Sequence, residues 1–229
     1  GTHIHIYLLW SLNPIKSNQI LFASSNMHKI NEMKLLFEKS NWKIISPSEI
    51  NIPKLEVIES GSSYLENAVA KIIAYENFTT LPILADDSGL EVDALNGYPG
   101  IFSARMGGQN VNSDTERNEH LLTLLNGIIN EDRSAIFRAI LVIKFFGGDM
   151  IVREGKISGE IICKNRGNDG FGYDPIFELV SGETMAEIGN RKNDISHRAK
   201  AAQALIYSLK NSEKDIISKW SSMIRYKDL

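Results

Sequence analysis

The chain has 229 residues, 43% of them hydrophobic, with 25 lysines and arginines against 28 acidic residues for a net charge of −3. That content fills the core of one large domain, or of two lobes sharing a sheet, and the acidic balance excludes a bulk nucleic-acid binder while leaving room for a local basic pocket. A single cysteine, Cys163, excludes an internal disulfide framework and fits a reducing cytoplasm, and no apolar run reaches membrane-spanning length.

Residues 1–18 begin with Gly1-Thr2-His3-Ile4-His5-Ile6 and have neither a cationic start nor a small-residue cleavage site, so they do not read as a signal peptide. They are read as an extension of doubtful origin, with His3 and His5 incidental. Gln19 to Ala23 then predicts a strand, and Ile30, Met33, Leu36 and Phe37 recur at helical spacing to about Lys39. Between them lies the polar turn Ser24-Ser25-Asn26-Met27-His28-Lys29. A strand, a short polar turn and a helix make a recurrent anion-binding arrangement, because the helix points free N–H groups and its positive end at the turn. Without a glycine-rich loop the same pattern also suits an ordinary cap followed by a solvated lysine.

Trp42 to Ile45 predicts a second strand, and an irregular stretch carries Glu56 and Glu59. Ser63-Tyr64-Leu65-Glu66 reads as a capping box opening a helix with Leu65, Ala68, Val69, Ile72 and Ile73 inward. The apolar run from Leu81 to Ala85 reads as a buried strand ending abruptly at Asp86-Asp87-Ser88-Gly89. Ligands in α/β proteins sit beyond the carboxyl ends of strands, so carboxylates emerging there are placed for chemistry. Because side chains alternate along a strand, Asp86 and Asp87 should start on opposite faces. The competing reading is an acidic turn with no chemistry.

Ser113-Asp114-Thr115-Glu116 is another capping box, opening a helix with Leu121, Leu122, Leu124 and Leu125 that ends at Asn126-Gly127. His120 on it reads as a surface residue. Ala135 to Phe146, the turn Gly147-Gly148-Asp149 and Met150 to Arg153 form a hairpin, with Arg138 facing solvent or an acidic neighbour, and Gly159 to Cys163 a separate strand. The loop from Arg166 to Pro175 is glycine-rich and carries Phe171 and Tyr173. Such aromatics serve either as stacking faces for a base or as plugs over the core. Lys192, His197 and Arg198 open a further helix with Ala202, Leu205, Ile206 and Leu209 inward; cations there oppose the helix dipole, which a bound anion would explain. Ile216, Ile217, Trp220, Met223 and Ile224 trace a last amphipathic pattern. The fold class is α/β with a mixed sheet, and the chain divides as 1–18 extension, 19–210 single α/β domain and 211–229 C-terminal amphipathic helix.

Four separated segments resemble one family, the inosine triphosphate pyrophosphatases. They are Ala23 to Lys29, Ala85 to Leu95 with Pro99 to Arg105, Gly170 to Phe177, and Ile195 to Arg198, in the family's order. The resemblance implies a long curved mixed β-sheet flanked by helices, two lobes with the active-site cleft between them, and a cytoplasmic homodimer. It implies hydrolysis of non-canonical purine nucleoside triphosphates, inosine or xanthosine, ribo or deoxy, to monophosphate and pyrophosphate. Ser24, Ser25, Asn26, Met27, His28 and Lys29 would hold the triphosphate. Glu59 and Asp87 would bind Mg2+, with Asp87 also the proton acceptor, and Ser88 would touch substrate. Phe171, Gly172, Tyr173 and Asp174 would cover base and sugar, and Lys192, His197 and Arg198 would complete nucleotide recognition. Two departures are Gly189-Asn190-Arg191, where the family is usually more acidic, and Ala199, where many members have glycine.

Residue chemistry agrees with that implication. A net-acidic protein that takes a polyanion needs a local cationic clamp and a divalent ion, for which carboxylate and phosphate oxygens are suitable ligands. A purely anion-binding nucleotide sensor has no use for acidic groups beside its phosphates, and a cation-dependent phosphomonoesterase would release orthophosphate instead. Donors at the start of the last helix and on Arg198 would favour a base with an oxygen at the six position over adenine.

Overall fold

The computed structural model describes residues 18–108, 111, 113–129 and 132–225, with side chains through residue 211. The extension at residues 1–17 and the apolar pattern from Ile216 to Ile224 therefore lie outside the described residues or side chains.

Six strands form one curled mixed sheet in the order β2-β1-β3-β4-β5-β6. They are β1 (Gln19–Phe22), β2 (Lys43–Ile45), β3 (Ile83–Val92), β4 (Ser134–Lys144), β5 (Met150–Ile161) and β6 (Phe177–Glu178). β1 is parallel to β2 and β3, and the long strands β3, β4 and β5 run antiparallel to one another. Helices α1 (Met27–Phe37), α2 (Tyr64–Tyr75), α3 (Asp114–Leu124), α4 (Lys192–Ile195) and α5 (His197–Arg225) surround it.

Three apolar cores divide the work. One joins α1 and α5 to Leu84, Leu141 and Ile143. A second lies on the other face of the same strands, where α2 covers Ile83, Ala85 and Val142. The third sits at the far end of the long strands, around Leu90, Val92, Phe137 and Ile161. Residues 83–85 of β3 thus belong to one end of the molecule and residues 90–92 to the other. Asp86 to Gly89 fall in the seam, where no apolar cluster claims the strand, and this is the division into two lobes expected from the sequence.

Five expectations are corrected. β3 does not stop at Asp86 but continues to Val92, because β4 pairs with it throughout, Asp86 opposite Leu141 and Asp87 opposite Ile140. Met150–Ile161 is one strand, not two. At Gly155, between the two segments, α5 crosses so closely that a Cβ would lie 2.0 Å from the His197 carbonyl oxygen. In α2, Leu65 and Ile73 are exposed, and the buried stripe is Tyr64, Asn67, Ala68, Ile72 and Tyr75. Ser63 caps that helix by accepting from Glu66 N, but Glu66 reaches back to Ser62 rather than completing a box with Ser63. The last helix breaks at Ser196, so α4 and α5 are separate, and α5 then runs unbroken through 211 to Arg225.

Candidate active site

The seam is open on one edge because β1 is short. β1 pairs with β3 only at Ile83 and Leu84, after which the chain turns away at Ala23-Ser24. Side chains take over the vacated positions: Lys71 Nζ donates to the Asp86 carbonyl (2.8 Å), and Ser103 Oγ accepts from Leu90 N (2.8 Å). Carboxylates therefore emerge beside a strand end, as expected, but it is the end of β1 and not of β3. Gly89 belongs to the same construction: a Cβ there would meet the Gly100 carbonyl oxygen at 2.2 Å. The 3-10 helix Gly100–Arg105 can thus lie flat on β3 and carry Arg105 toward Glu59.

Asp86 and Asp87 do face opposite ways. Asp86 shares its face with Ser88 and points at α1 and α5. Its Oδ2 accepts from Lys29 Nζ and Arg198 Nε, both at 3.0 Å. Arg198 also donates Nη1 to Glu32 (2.7 Å) and Nη2 to Ser88 Oγ (2.8 Å). Burial alone would raise the Asp86 carboxyl, but Arg198 and Lys29 overcome it and hold the group below the usual carboxylate range. Burial lowers Lys29, with Asp86 opposing. The cations at the start of α5 are thus answered by Asp86 and Glu32, so the dipole argument for a bound anion is not needed for Arg198. His197 is not a cation here: burial, with Arg198 beside it, pushes its pKa well down, and its ring stacks on Phe137 at 4.8 Å.

Asp87 points at α2. Its Oδ1 accepts from Lys71 Nζ (2.9 Å) and its Oδ2 from Asn67 Nδ2 (3.2 Å). Lys71 Nζ also lies 2.8 Å from Glu59 Oε1, while Arg105 Nη1 takes Glu59 Oε2. Burial raises the Asp87 carboxyl above the usual range, and a single ammonium shared with Glu59 offsets this only in part. Lys71, itself lowered by burial, ends raised because two carboxylates hold it.

Beside Asp86, Ser25 to His28 are exposed in the turn into α1, where Ser24 Oγ accepts from Asn26 N and Asn26 Oδ1 caps Lys29 N. His28 stacks on Phe171 at 5.3 Å, and Lys192 Nζ and the Arg198 guanidinium lie 4.7 and 5.7 Å from the Phe171 ring centroid. Asp174 is buried, accepts from Phe171 N (2.9 Å) and from Lys192 Nζ (2.6 Å), and burial raises its pKa against the pull of Lys192. Tyr173 parts from its neighbours. Its ring lies in the far core and its hydroxyl donates to the Ser103 carbonyl (2.8 Å), so of the two loop aromatics Phe171 faces the site and Tyr173 plugs the core. Gly172 N donates to Asp114 Oδ2 at 2.6 Å, tying the loop to α3.

Of the residues expected from the sequence, Phe171, Arg198, Ser88, Asp86 and Lys29 lie together on one face and Asp87 and Glu59 on the other, while Tyr173 and His197 pack into the far core and against Phe137. Four members were missed. Glu32, Asn67, Lys71 and Arg105 each bind a charged site residue directly or through it. A signal existed for two of them. Asn67 and Lys71 fall on the helical stripe Tyr64, Ala68, Ile72, Tyr75, and a polar residue on an otherwise apolar stripe must have a partner.

The Ham1 family model matches residues 20–208. A dITP/XTP pyrophosphatase of Thermus thermophilus is 39% identical over 201 residues, covering 86% of this chain and 94% of that protein. A dITP/XTP pyrophosphatase of Lactobacillus johnsonii is 41% identical over 196 residues, covering 83% and 94%. The solved structure of the Staphylococcus aureus Ham1 protein superposes with a TM-score of 0.73 at 40% identity, covering 85% of this chain and 99% of that one. Sequence match and fold agree: the chain belongs to the Ham1 family.

Proposed function

We propose that this protein hydrolyses inosine and xanthosine triphosphates, ribo or deoxy, to the nucleoside monophosphate and pyrophosphate. The observation that carries the reading is the convergence of the Glu59 and Asp87 carboxylates on one cationic point, within 2.9 Å of Lys71 Nζ, beside a lysine-bearing turn and an aromatic loop. The names of the Thermus and Lactobacillus relatives support it.

Among the described residues no group of three or more acidic, histidine or cysteine side chains stands ready to hold a metal ion. Two converging carboxylates suit magnesium, which is bound by one or two carboxylates with substrate phosphates and water supplying the rest. Glu59 and Asp87 would hold it, and bound there it would neutralise phosphate charge and acidify a water. The turn Ser24 to His28 and Lys29 binds the triphosphate through helix N–H groups and one ammonium. Asp87 would orient the attacking water at the α-phosphorus and accept its proton, the ion's charge opposing the burial that raises this carboxyl in its absence. Asp86, spent on Lys29 and Arg198, takes no part in proton transfer.

Phe171 stacks on the base and Lys192, held by Asp174, closes over it. Arg198 keeps two of its five N–H donors outside its bonds to Asp86, Glu32 and Ser88. Those donors suit the six-oxygen of hypoxanthine or xanthine and are left unpaired by the amino group of adenine. Such a mismatch rejects an analogue by up to ~10⁴-fold. The reading carries with it a cytoplasmic homodimer with no nucleic-acid or membrane partner, and among the described residues no helix is long and apolar enough to cross a membrane. The family match over 20–208 supports 19–210 as the catalytic unit, with α5 continuing past it to Arg225.

The test is incubation with magnesium and a panel of purine triphosphates. Inosine and xanthosine triphosphates should be consumed with release of pyrophosphate and adenosine triphosphate spared. Orthophosphate as the product, or binding without turnover, would overturn the reading.

A further inference from the structure

Resting on the metal reading just given, we propose that Lys71 is an internal stand-in for the divalent ion, holding Glu59 and Asp87 together and keeping the ion out until a triphosphate draws its ammonium away. The ion then enters with the nucleotide rather than ahead of it.

An ammonium has three donors. Those of Lys71 are all engaged on oxygen, with Asp87 Oδ1 at 2.9 Å, the Asp86 carbonyl at 2.8 Å and Glu59 Oε1 at 2.8 Å. A set of oxygens from two carboxylates and one carbonyl is also what a hard divalent cation binds. The outward oxygens are occupied as well, Glu59 Oε2 by Arg105 and Asp87 Oδ2 by Asn67. Two carboxylates therefore face two cations, Lys71 and Arg105, and the local charge sums to zero. A free divalent ion meets neither net negative charge nor an uncapped carboxylate oxygen, and it meets an ammonium where it would sit.

A triphosphate changes both terms. It brings several negative charges and many acceptor oxygens to the same site, and the four-carbon stem of Lys71 lets its ammonium swing without moving α2. Asn67 keeps the geometry while this happens. Its Oδ1 accepts from Gly61 N (2.9 Å) and its Nδ2 donates to Asp87, tying the Glu59 loop to β3 independently of Lys71.

The experiment is titration of the nucleotide-free full-length protein with Mn2+, followed by electron paramagnetic resonance. Wild type should bind only in the millimolar range. Lys71→Met should bind at least roughly tenfold more tightly, within the usual span of coupling between two sites, and Lys71→Arg, which keeps the charge, should stay weak. Adding Glu59→Gln to Lys71→Met should abolish the gain. Tight wild-type binding that Lys71→Met leaves unchanged and Glu59→Gln weakens would overturn the role of Lys71 while sparing the metal reading. A gain that survives Glu59→Gln would overturn both, since the ion would then sit elsewhere. Circular dichroism checks the fold; if Lys71→Met fails to fold, Lys71→Gln replaces it, and micromolar wild-type binding alone overturns the proposal.

Discussion

Asp86 and Asp87 are neighbours on one strand, yet they live in different electrostatic worlds. On the α1–α5 face the Asp86 side chain is fully buried, Arg198 is 1% exposed, and Lys29, Arg198, Asp86 and Glu32 pair with one another, leaving Asp86 Oδ1 and Glu32 Oε1 without a partner. On the α2 face the carboxylates of Asp87 and Glu59 are shared by one lysine, and Glu59 and Arg105 reach solvent. Burial acts on both aspartates; two dedicated cations overcome it for Asp86, and half an ammonium does not for Asp87. One carboxylate is thereby held by two cations and the other, the proposed base, shares one. Alternation along a strand, the simplest rule of β structure, gives the two members of a dipeptide these different surroundings.

The sharpest way to break this comparison is to neutralise Asp86. Asp86→Asn leaves Arg198 and Lys29 without their shared anion in a dry site, which should cost about 3–5 kcal/mol of stability. Chemical denaturation would register it, and a loss under ~1 kcal/mol would mean that the paired set is not structural. Asp87→Asn should do the reverse. Turnover falls by on the order of a hundredfold or more, as for the loss of a general base or metal ligand, while the denaturation midpoint stays near that of wild type. Steady-state kinetics on the folded variant reads this directly.

A smaller effect is expected at the base end of the site. Lys192→Met removes the partner of buried Asp174, so the aspartate protonates and the Phe171 loop loses its closing charge. KM should rise by roughly tenfold with a lesser change in kcat, since the interaction serves binding of ground and transition states alike. A drop confined to kcat would place Lys192 at the reacting phosphorus instead.

The gentlest probe is acid. In the metal-free, nucleotide-free protein Asp87 should take up its proton at a pH above the ordinary aspartate value of about 4, because burial has raised that group, and carboxyl NMR reads this. Asp86 behaves oppositely. Its folded-state pKa is depressed, so the stability it contributes is present above its unfolded value of about 3.9 and is lost only as the pH falls toward the folded one. Asp87 should therefore lose its charge in a window where the denaturation midpoint holds. Parallel loss of both would erase the distinction between the two faces.

Much of this was legible in the sequence, for identifiable reasons. The apolar periods of α1 and α5 face their cores, the Ser113 box caps α3 reciprocally, and the aspartate pair splits across β3 because a strand has no alternative. What escaped was long-range. Gly89 reads locally as part of a turn, but in space it admits a crossing backbone, as Gly155 does. Tyr173 and Phe171 are two residues apart in one loop, and only the fold assigns one to the core and one to the site. The partners of Lys71, Glu59 twelve positions earlier and Asp87 sixteen later, close on it only in the fold.

The central claim, that Asp87 and its cationic surroundings direct water to the α-phosphorus of a purine triphosphate, is tested most directly by hydrolysing inosine triphosphate in ¹⁸O-labelled water with magnesium and reading the products by ³¹P NMR. The account predicts inosine monophosphate carrying the label and pyrophosphate free of it. Label in pyrophosphate, or orthophosphate as the first product, would contradict it.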